Sequence, residues 1–484
     1  MSDGIQFAGE FDLQEALVIS PTGEVTDLLT DLMVVEINIF EDIFKNSISG
    51  SVLVTDTRNI FSKLPMMGQE KLSLKIATPS FADKKDIIDF TEEYEWFDIH
   101  KISSRMEVGS GAQIYDLQFV SPEVVKNTRR RVSTSGKGSI NEIVLDLLSK
   151  NKDGVQTGKE IFIEETLGSR KFVIPNSNPF TFITKLTKEA ISKNGSPHYL
   201  FFENKNGYHF RSLQSLYSEP VKDNFHGGDK AHDEIQDPGQ INSGKQAQSF
   251  ARILESKLNS DKDLLLNSLT GMFGGKVIEH DIYNKKYNVK TFNYFDNDDF
   301  GLTERIDGGK GIKNNRVYSD TVLGMVDDKL KEEITNSKIH LIPVARKGNS
   351  DAHYKGNDSF ITTPNQQFDT LLNRQSRFLE LQEGISINMS VHGRTNLTVG
   401  DIVSISLPTL GDEGDGEENK YYSGNYMIKE LRHTFSQPTR SHIISMMVVR
   451  DSLSDELKST SVLTQTDTQT NTTPKIIGID GFWA

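Results

Sequence analysis

The sequence predicts an α+β protein that is mainly β: two similar antiparallel β-barrel domains, an α+β domain between them, and an insertion in the second barrel. Three observations lead there. Near the C-terminus, Val403, Ile405 and Leu407 alternate with polar residues, and Ile428 and Leu431 follow an acidic, glycine-rich loop. Ile444, Met446 and Val448 alternate again after a turn at Gln437-Pro438. Period-two alternation between turn residues marks half-buried strands, so Asn396 to Arg450 reads as a three-stranded antiparallel meander, fit for a barrel wall or a sandwich edge. Second, this meander has an echo. Gly68-Gln-Glu-Lys-Leu-Ser-Leu-Lys-Ile-Ala-Thr-Pro stands where Gly400-Asp-Ile-Val-Ser-Ile-Ser-Leu-Pro stands later. Beyond it, a shift of 329 positions places Ile99 on Ile428, Ile102 on Leu431, Met106 on Phe435, Ile114 on Ile443, Leu117 on Met446 and Phe119 on Val448. Gly109 and Pro438 fall in the two turns. A repeat on this scale constrains the whole fold. Third, helical spacing occurs only between and beside the meanders.

Taken in order, residues 6–125 form the first barrel domain. Leu32 to Phe40 and Ser47 to Asp56 are a strand pair joined by a polar turn over Glu41 to Asn46. Arg58 to Met66 is a short helical turn or loop, and the first meander follows. Residues 126–217 are the α+β domain, opened by Arg129-Arg130-Arg131, read as a solvated linker. Ile140, Ile143, Val144, Leu147 and Leu148 recur at helical spacing, with Ser139 as N-cap and Glu142 as its capping-box partner. Asn178-Pro179 starts a second helix carrying Phe180, Ile183, Leu186, Ala190 and Ile191, ended by Gly195-Ser-Pro. His198 to Leu213 is a hairpin with an Asn-Gly signal in its Asn204 to Gly207 turn.

Residues 218–260 and 376–452 form the second barrel domain, interrupted by an inserted α+β region at 261–375. Glu219 to Gly244 is polar boundary material, and Gln248 to Leu258 is a strand. Asp261 to Met272 is an amphipathic helix stopped by Gly274-Gly275, and Lys276 to Phe295 is strand material. Between Asp296 and Pro364 the one good apolar run is Ile339-His-Leu-Ile-Pro-Val. Gln366 to Glu383, with Phe368, Leu371, Leu372, Phe378 and Leu381, is a helix closed by Gly384. Residues 453–484 are a polar tail whose composition cannot support a core. Its apolar tip includes Ile476, Ile477, Phe482 and Trp483, a candidate docking peptide for a partner.

With 484 residues, 25% charged and 36% hydrophobic, the chain exceeds one core. It contains no run long enough to span a membrane and no basic or apolar leader at the N-terminus. It has no cysteine, which excludes disulfides, thiolate metal sites and cysteine nucleophiles. A formal net charge of −14 argues against gripping nucleic acid through phosphates. Solubility accounts for that charge, and an acidic wall would also let DNA slide through a conduit without sticking.

No catalytic signature is present. Gly-x-Ser-x-Gly, His-Glu-x-x-His and a P-loop are all missing, and Gly308-Gly-Lys-Gly-Ile-Lys lacks the Lys-Ser/Thr of a phosphate loop. Asp296, Asp298, Gly301 and Asp307 imitate a calcium loop, but Phe300 stands at the fifth ligand position and aspartate replaces the closing glutamate. His226, Asp229, His232, Asp233 and Glu234 fit no metal-ligand spacing, and Glu413 to Glu418 reads as a solvated loop. No cofactor, metal or catalytic residue is assigned.

The order of elements resembles the central baseplate hub protein of T-even-like contractile-tail bacteriophages, and the N-terminal half of the type VI secretion spike is similar. The residues that carry the resemblance are Leu397-Thr-Val-Gly-Asp-Ile-Val-Ser-Ile, the helix before it, and Gly424-Asn-Tyr-Met-Ile-Lys-Glu-Leu-Arg-His-Thr-Phe after it. His198-Tyr-Leu-Phe-Phe-Glu to Leu213 and the helix from Phe180 to Ile191 match the middle of the family. The resemblance implies a homotrimer in which two tube-type domains per chain give a pseudo-sixfold ring, lining a DNA channel. It implies a tail spike or cell-puncturing protein with an OB-fold on one face and tail-tube or tube-initiator proteins on the other. The expected location is the virion tail baseplate, assembled in the host cytoplasm, with no membrane insertion. A type VI-like or other injection-system spike is the alternative, though such a spike carries a β-helix after the hub. A multidomain carbohydrate-active enzyme is the competing class; the sparse tryptophan (Trp96 and Trp483) and missing motifs stand against it.

Overall fold

Strands form where side chains alternate, and the computed structural model shows what they pair with. It describes residues 8–30, 33–58, 68–79, 86–108, 111–227, 250–259, 263–282, 285–294, 306, 333–344, 366–408, 419 and 421–453. The N-terminal strands are β1 (Asp12–Ile19), β2 (Val25–Asp27), β3 (Met33–Asp42), β4 (Ser49–Asp56), β5 (Lys71–Ala77), β6 (Ile88–Phe90), β7 (Phe97–Val108) and β8 (Ala112–Val120). The middle unit holds α1 (Pro122–Arg129), β9 (Val132–Gly138), α2 (Ile140–Leu145) with a π-helical continuation Asp146–Lys150, β10 (Ile161–Ile163), β11 (Arg170–Ser177), α3 (Pro179–Thr187), β12 (Tyr199–Asn204), β13 (Gly207–Ser212) and α4 (Leu213–Tyr217). Next come β14 (Val221–His226), β15 (Ile253–Asn259), α5 (Leu264–Thr270), β16 (Gly274–Asp281), β17 (Lys286–Asn293), β18 (Ile339–Val344) and α6 (Gln366–Glu383). The C-terminal strands are β19 (Ile385–His392), β20 (Ile402–Ser406), β21 (Gly424–Ser436) and β22 (Ser441–Arg450).

The repeat holds in hydrogen-bond register. In the first meander Asp98 pairs with Val120, Ile99 with Phe119, Ile102 with Leu117 and Ser103 with Asp116, with a bulge between Ile99 and Lys101. In the second, Met427 pairs with Val449, Ile428 with Val448, Leu431 with Met446 and Arg432 with Ser445, with a bulge between Ile428 and Glu430. The same shift of 329 carries every one of these positions and the bulge. The preceding strand repeats too: Lys71 faces Asp98 as Ile402 faces Met427. Ile99 N donates to Glu70 O at 2.9 Å as Ile428 N donates to Asp401 O at 2.9 Å. Two further strands extend the match. β3–β4 has a bulge at Val34/Glu36 and β15–β19 one at Ile253/Glu255. Five strands thus recur in the orders β3-β4-β8-β7-β5 and β15-β19-β22-β21-β20.

Two details depart from the expected repeat. A second bulge between Ser103 and Met106, with Ser104 at a φ of 54°, moves the hairpin tip by one residue. Met106 therefore faces Ile114 and takes the place of Thr434, not of Phe435. The flanking strands also differ: β1 pairs antiparallel with β5, whereas β14 runs parallel to β20.

Among the described residues the two sets are joined and do not form two closed barrels. β21 of the second set pairs antiparallel with β3 of the first, so both belong to one fourteen-stranded sheet, and no closure is seen among the described residues. Each set has its own core, one around Leu72, Leu74, Leu117 and Phe119 and the other around Val403, Ile428, Leu431 and Val448. A third core fills the middle unit between α2, α3 and the β10-β13-β12 sheet, where Ile143, Leu147, Ile183 and Phe210 meet.

Several local expectations are refined. The Arg129 to Arg131 triplet is the end of α1 and its exit, and the Arg130 guanidinium donates to the Gly154 carbonyl and to Gln156 Oε1 at 2.9 Å. The capping box at Ser139 and Glu142 forms. Asn178 occupies the N-cap of α3 but sends its amide to Asn127 O, while Asn127 Oδ1 accepts from Phe180 N at 2.9 Å and does the capping. That helix stops at Thr187, short of Ile191. Gly271, left-handed at φ 86°, ends α5, so Gly274-Gly275 begins β16 instead of stopping the helix. Val221 to His226, within the stretch read as a polar boundary, is a strand. The Arg58 to Met66 stretch beyond Arg58, the acidic hairpin loop from Glu413 and the calcium-like loop up to Gly301 with Asp307 lie outside the described residues.

Candidate assembly interface

The seam between the sets is the feature that sets the chain's architecture. Seven residue pairs join β21 to β3, from Glu430 opposite Asp42 to Ser436 opposite Glu36. Alternation divides them by face. Toward the core, Phe435 faces Ile37 and His433 faces Ile39. Phe435 is buried with the first set's side chains, meets Phe11 edge-on at 5.2 Å and stacks on His442 at 4.0 Å. Ile43, just past β3, is buried in the second set's core, and its N–H donates to Lys429 O at 3.1 Å. Each set thus plants one apolar side chain in the other.

His433 Nδ1 and His442 Nε2 lie 2.9 Å apart beneath this seam. Burial lowers the pKa of His433 to about 3 and that of His442 well below the ordinary value. Both rings are therefore neutral near pH 7, with one nitrogen of the pair donating to the other. On the opposite face Arg432 Nε and Thr434 Oγ1 donate to Asn38 Oδ1 at 2.9 and 3.1 Å, and the Arg432 guanidinium lies 5.5 Å from the Phe40 ring centre.

The Leu397-Thr-Val-Gly-Asp motif locks the end of the seam. Gly400 takes a φ of 89°, and Asp401 Oδ2 accepts from Thr398 N at 3.1 Å, which closes a tight turn. The turn presents Thr398 Oγ1 and Val399 N (3.1 Å) to Glu41 Oε2, on β3 of the other set. Glu41 is 3% exposed. Burial pushes its pKa up to about 7 against the two hydrogen bonds that lower it. The folded chain therefore holds this proton more tightly than the unfolded one. Stability from this group is complete below the unfolded value near 4.5 and is lost as pH rises toward 7. Glu41→Gln keeps one oxygen for both donors. It should be more stable than the parent by up to about 3 kcal/mol at pH 8, and equal to it near pH 4. Urea unfolding at both pH values checks this; an equal difference at both would refute it.

The sheet's face away from the cores forms a groove of about 750 Å³ across β15, β19, β22, β21 and β3. Asp42, Glu255 and Glu430 line it together with Lys45, Lys257 and Arg432. This surface carries both signs.

Of the residues singled out in the sequence, Ile476, Ile477, Phe482 and Trp483 lie outside the described residues, as do Asp229, His232, Asp233 and Glu234. His226 is exposed on β14. Among the described residues no group of three or more His, Asp or Glu side chains is placed to hold a metal ion. Glu41, His433 and Phe435 were not singled out in the sequence as joining residues. Glu41 sat in a stretch read as a polar turn, and nothing local marks an acid as buried.

No family model and no curated protein matches the chain. Solved structures similar to it include a tail protein from Neisseria meningitidis, with 11% identity over 91% of this chain and 97% of that one, at a TM-score of 0.49. A 43 kDa tail protein of prophage MuSo2 from Shewanella oneidensis has 9% identity over 90% and 98%, at 0.46. An Escherichia coli component of the type VI secretion system has 9% identity over 93% and 79%, at 0.38.

Proposed function

We propose that the protein is the structural hub of a contractile phage tail baseplate, a ring of three chains joining a threefold spike to a sixfold tail tube. The observation that supports this most is the in-register repeat of five strands joined edge to edge within one chain. Two equivalent units per chain are what a three-chain ring needs to present six similar walls. In this assignment the groove across β15 to β3 faces the channel, and DNA passes over charges that are already balanced by neighbours, such as Arg432 near Glu36 at 3.7 Å. The OB-fold spike and the tube proteins bind opposite faces of the ring. The tail tip at Ile476, Ile477, Phe482 and Trp483 is a docking peptide for one of them. No reaction is assigned.

Light scattering after size exclusion should give three times the chain mass, and negative-stain images should show rings. A chain that stays monomeric both alone and with a spike protein would refute the hub.

A further inference from the structure

The in-chain seam uses one edge of each set, and the repeat supplies the counterparts of both. The edge of β21 that binds β3 corresponds to the outer edge of β7, and the edge of β3 corresponds to that of β15. Among the described residues β7 pairs beyond Ile99 only with β8, and β15 pairs as a strand only with β19. Exposure agrees. Met106 and Val108 on β7 are 62% and 46% exposed, whereas Phe435, near the same end of β21, is 1% exposed. On β15, Glu255, Ser256 and Lys257 are exposed, whereas Ile37 and Asn38, the β3 counterparts of the last two, are buried.

A strand edge with unpaired N–H and C=O groups is a template for another strand. Six strands stand between β15 and β7 in the sheet, and among the described residues the two edges do not pair with each other. We propose that β7 of one chain adds antiparallel to β15 of a second copy, in the register of the in-chain seam. The shift that carries β7 onto β21 and the one that carries β15 onto β3 place Ser103 opposite Asn259. Past the Ser104 bulge they place Glu107 opposite Ser256. One kind of edge meets the other kind, so the contact is heterologous and repeats around a ring instead of ending at a twofold dimer. The proposal rests on the ring reading above and adds its residue-level partner.

Thiol cross-linking tests it on the full chain, which has no cysteine of its own. Directly opposed residues in antiparallel strands have Cα atoms about 4.5–5.5 Å apart, within disulfide reach, whereas a diagonal neighbour is about 7–8 Å away. Ser103→Cys with Asn259→Cys should oxidise to covalent dimers and trimers that end at three chains and collapse on reduction. Ser103→Cys with Lys257→Cys should give at least tenfold less. Phe40→Cys with Arg432→Cys, directly opposed across the in-chain seam, should oxidise within one chain and calibrates the cross-linking of opposed thiols in this register. A three-chain ring without the Ser103–Asn259 cross-link, or with equal cross-linking in the shifted pair, would overturn the register and leave the hub standing. A monomer would overturn both.

Discussion

Replacing Lys159 with methionine is expected to cost about 3–5 kcal/mol of folding stability, among the largest single effects in the chain. The Lys159 side chain is 4% exposed, and its ammonium donates to Glu203 Oε1 at 2.6 Å and Glu123 Oε2 at 3.0 Å. Burial works against that charge, but the two carboxylates outweigh it and hold the Lys159 pKa above its ordinary value. Both carboxylates are also committed elsewhere. Glu203 Oε2 accepts from Ile48 N at 3.0 Å, and Glu123 Oε1 accepts from Thr157 Oγ1 at 2.8 Å. Through Ile48 the cluster ties the middle unit to the approach of β4. Methionine would fill the space but leave two buried carboxylates facing each other. Adding Glu123→Gln and Glu203→Gln should recover most of the loss, because no charge then remains to be desolvated. Urea midpoints of the single and triple variants decide it. A single variant that costs under about 1 kcal/mol would show that the ammonium is not what holds the cluster.

Phe435→Ala should cost about 3–5 kcal/mol, the range for truncating a buried aromatic ring. The ring belongs to the second set but sits in the first set's core against Phe11, and it covers His442. Its loss should therefore loosen the joint before it loosens either core. Amide exchange should rise first along β3 from Glu36 to Asp42 and along β21 from Glu430 to Ser436. Equal acceleration across β8 and β22 would mean that the ring supports a core and not the joint.

Much of the local structure was legible because local signals decided it. The helix from Gln366 to Glu383 has the expected bounds, since five apolar residues at helical spacing end at a glycine. The hairpin from Tyr199 to Ser212 turns over Asn204 to Gly207 as expected, with Lys205 and Asn206 at the tip. The alternating residues of both meanders, Ile99, Leu117 and Phe119 as well as Ile428, Met446 and Val448, are buried as the period requires. What was not legible depends on distant partners. In Val221 to His226 only Phe225 is buried, so no alternation announces a strand held mainly by its backbone pairing to β20. Lys159 and Glu41 look like surface residues until their partners are known. Gly274 begins a strand, and a side chain is excluded there because a Cβ would lie 2.8 Å from Ile334 O, a contact that no local pattern shows. The pairing of β3 with β21 leaves no mark in either segment alone.

That pairing also dictates when the chain can finish folding. Arg432 and Asn38, hydrogen-bonded across it, are 394 positions apart in sequence. At ribosomal speeds of about 5–20 residues per second, β3 waits roughly 20–80 s for its neighbour. During that interval the middle unit can fold, but the first set's core lacks Phe435 and the edge of β3 is open to β21 of any neighbouring chain whose own seam has not yet closed. A nascent chain is thus most open to exchanging strands with its siblings just before its last hairpin leaves the ribosome. Slow, dilute synthesis should favour closure within one chain, and crowded overproduction should favour tangled oligomers built from the same strands.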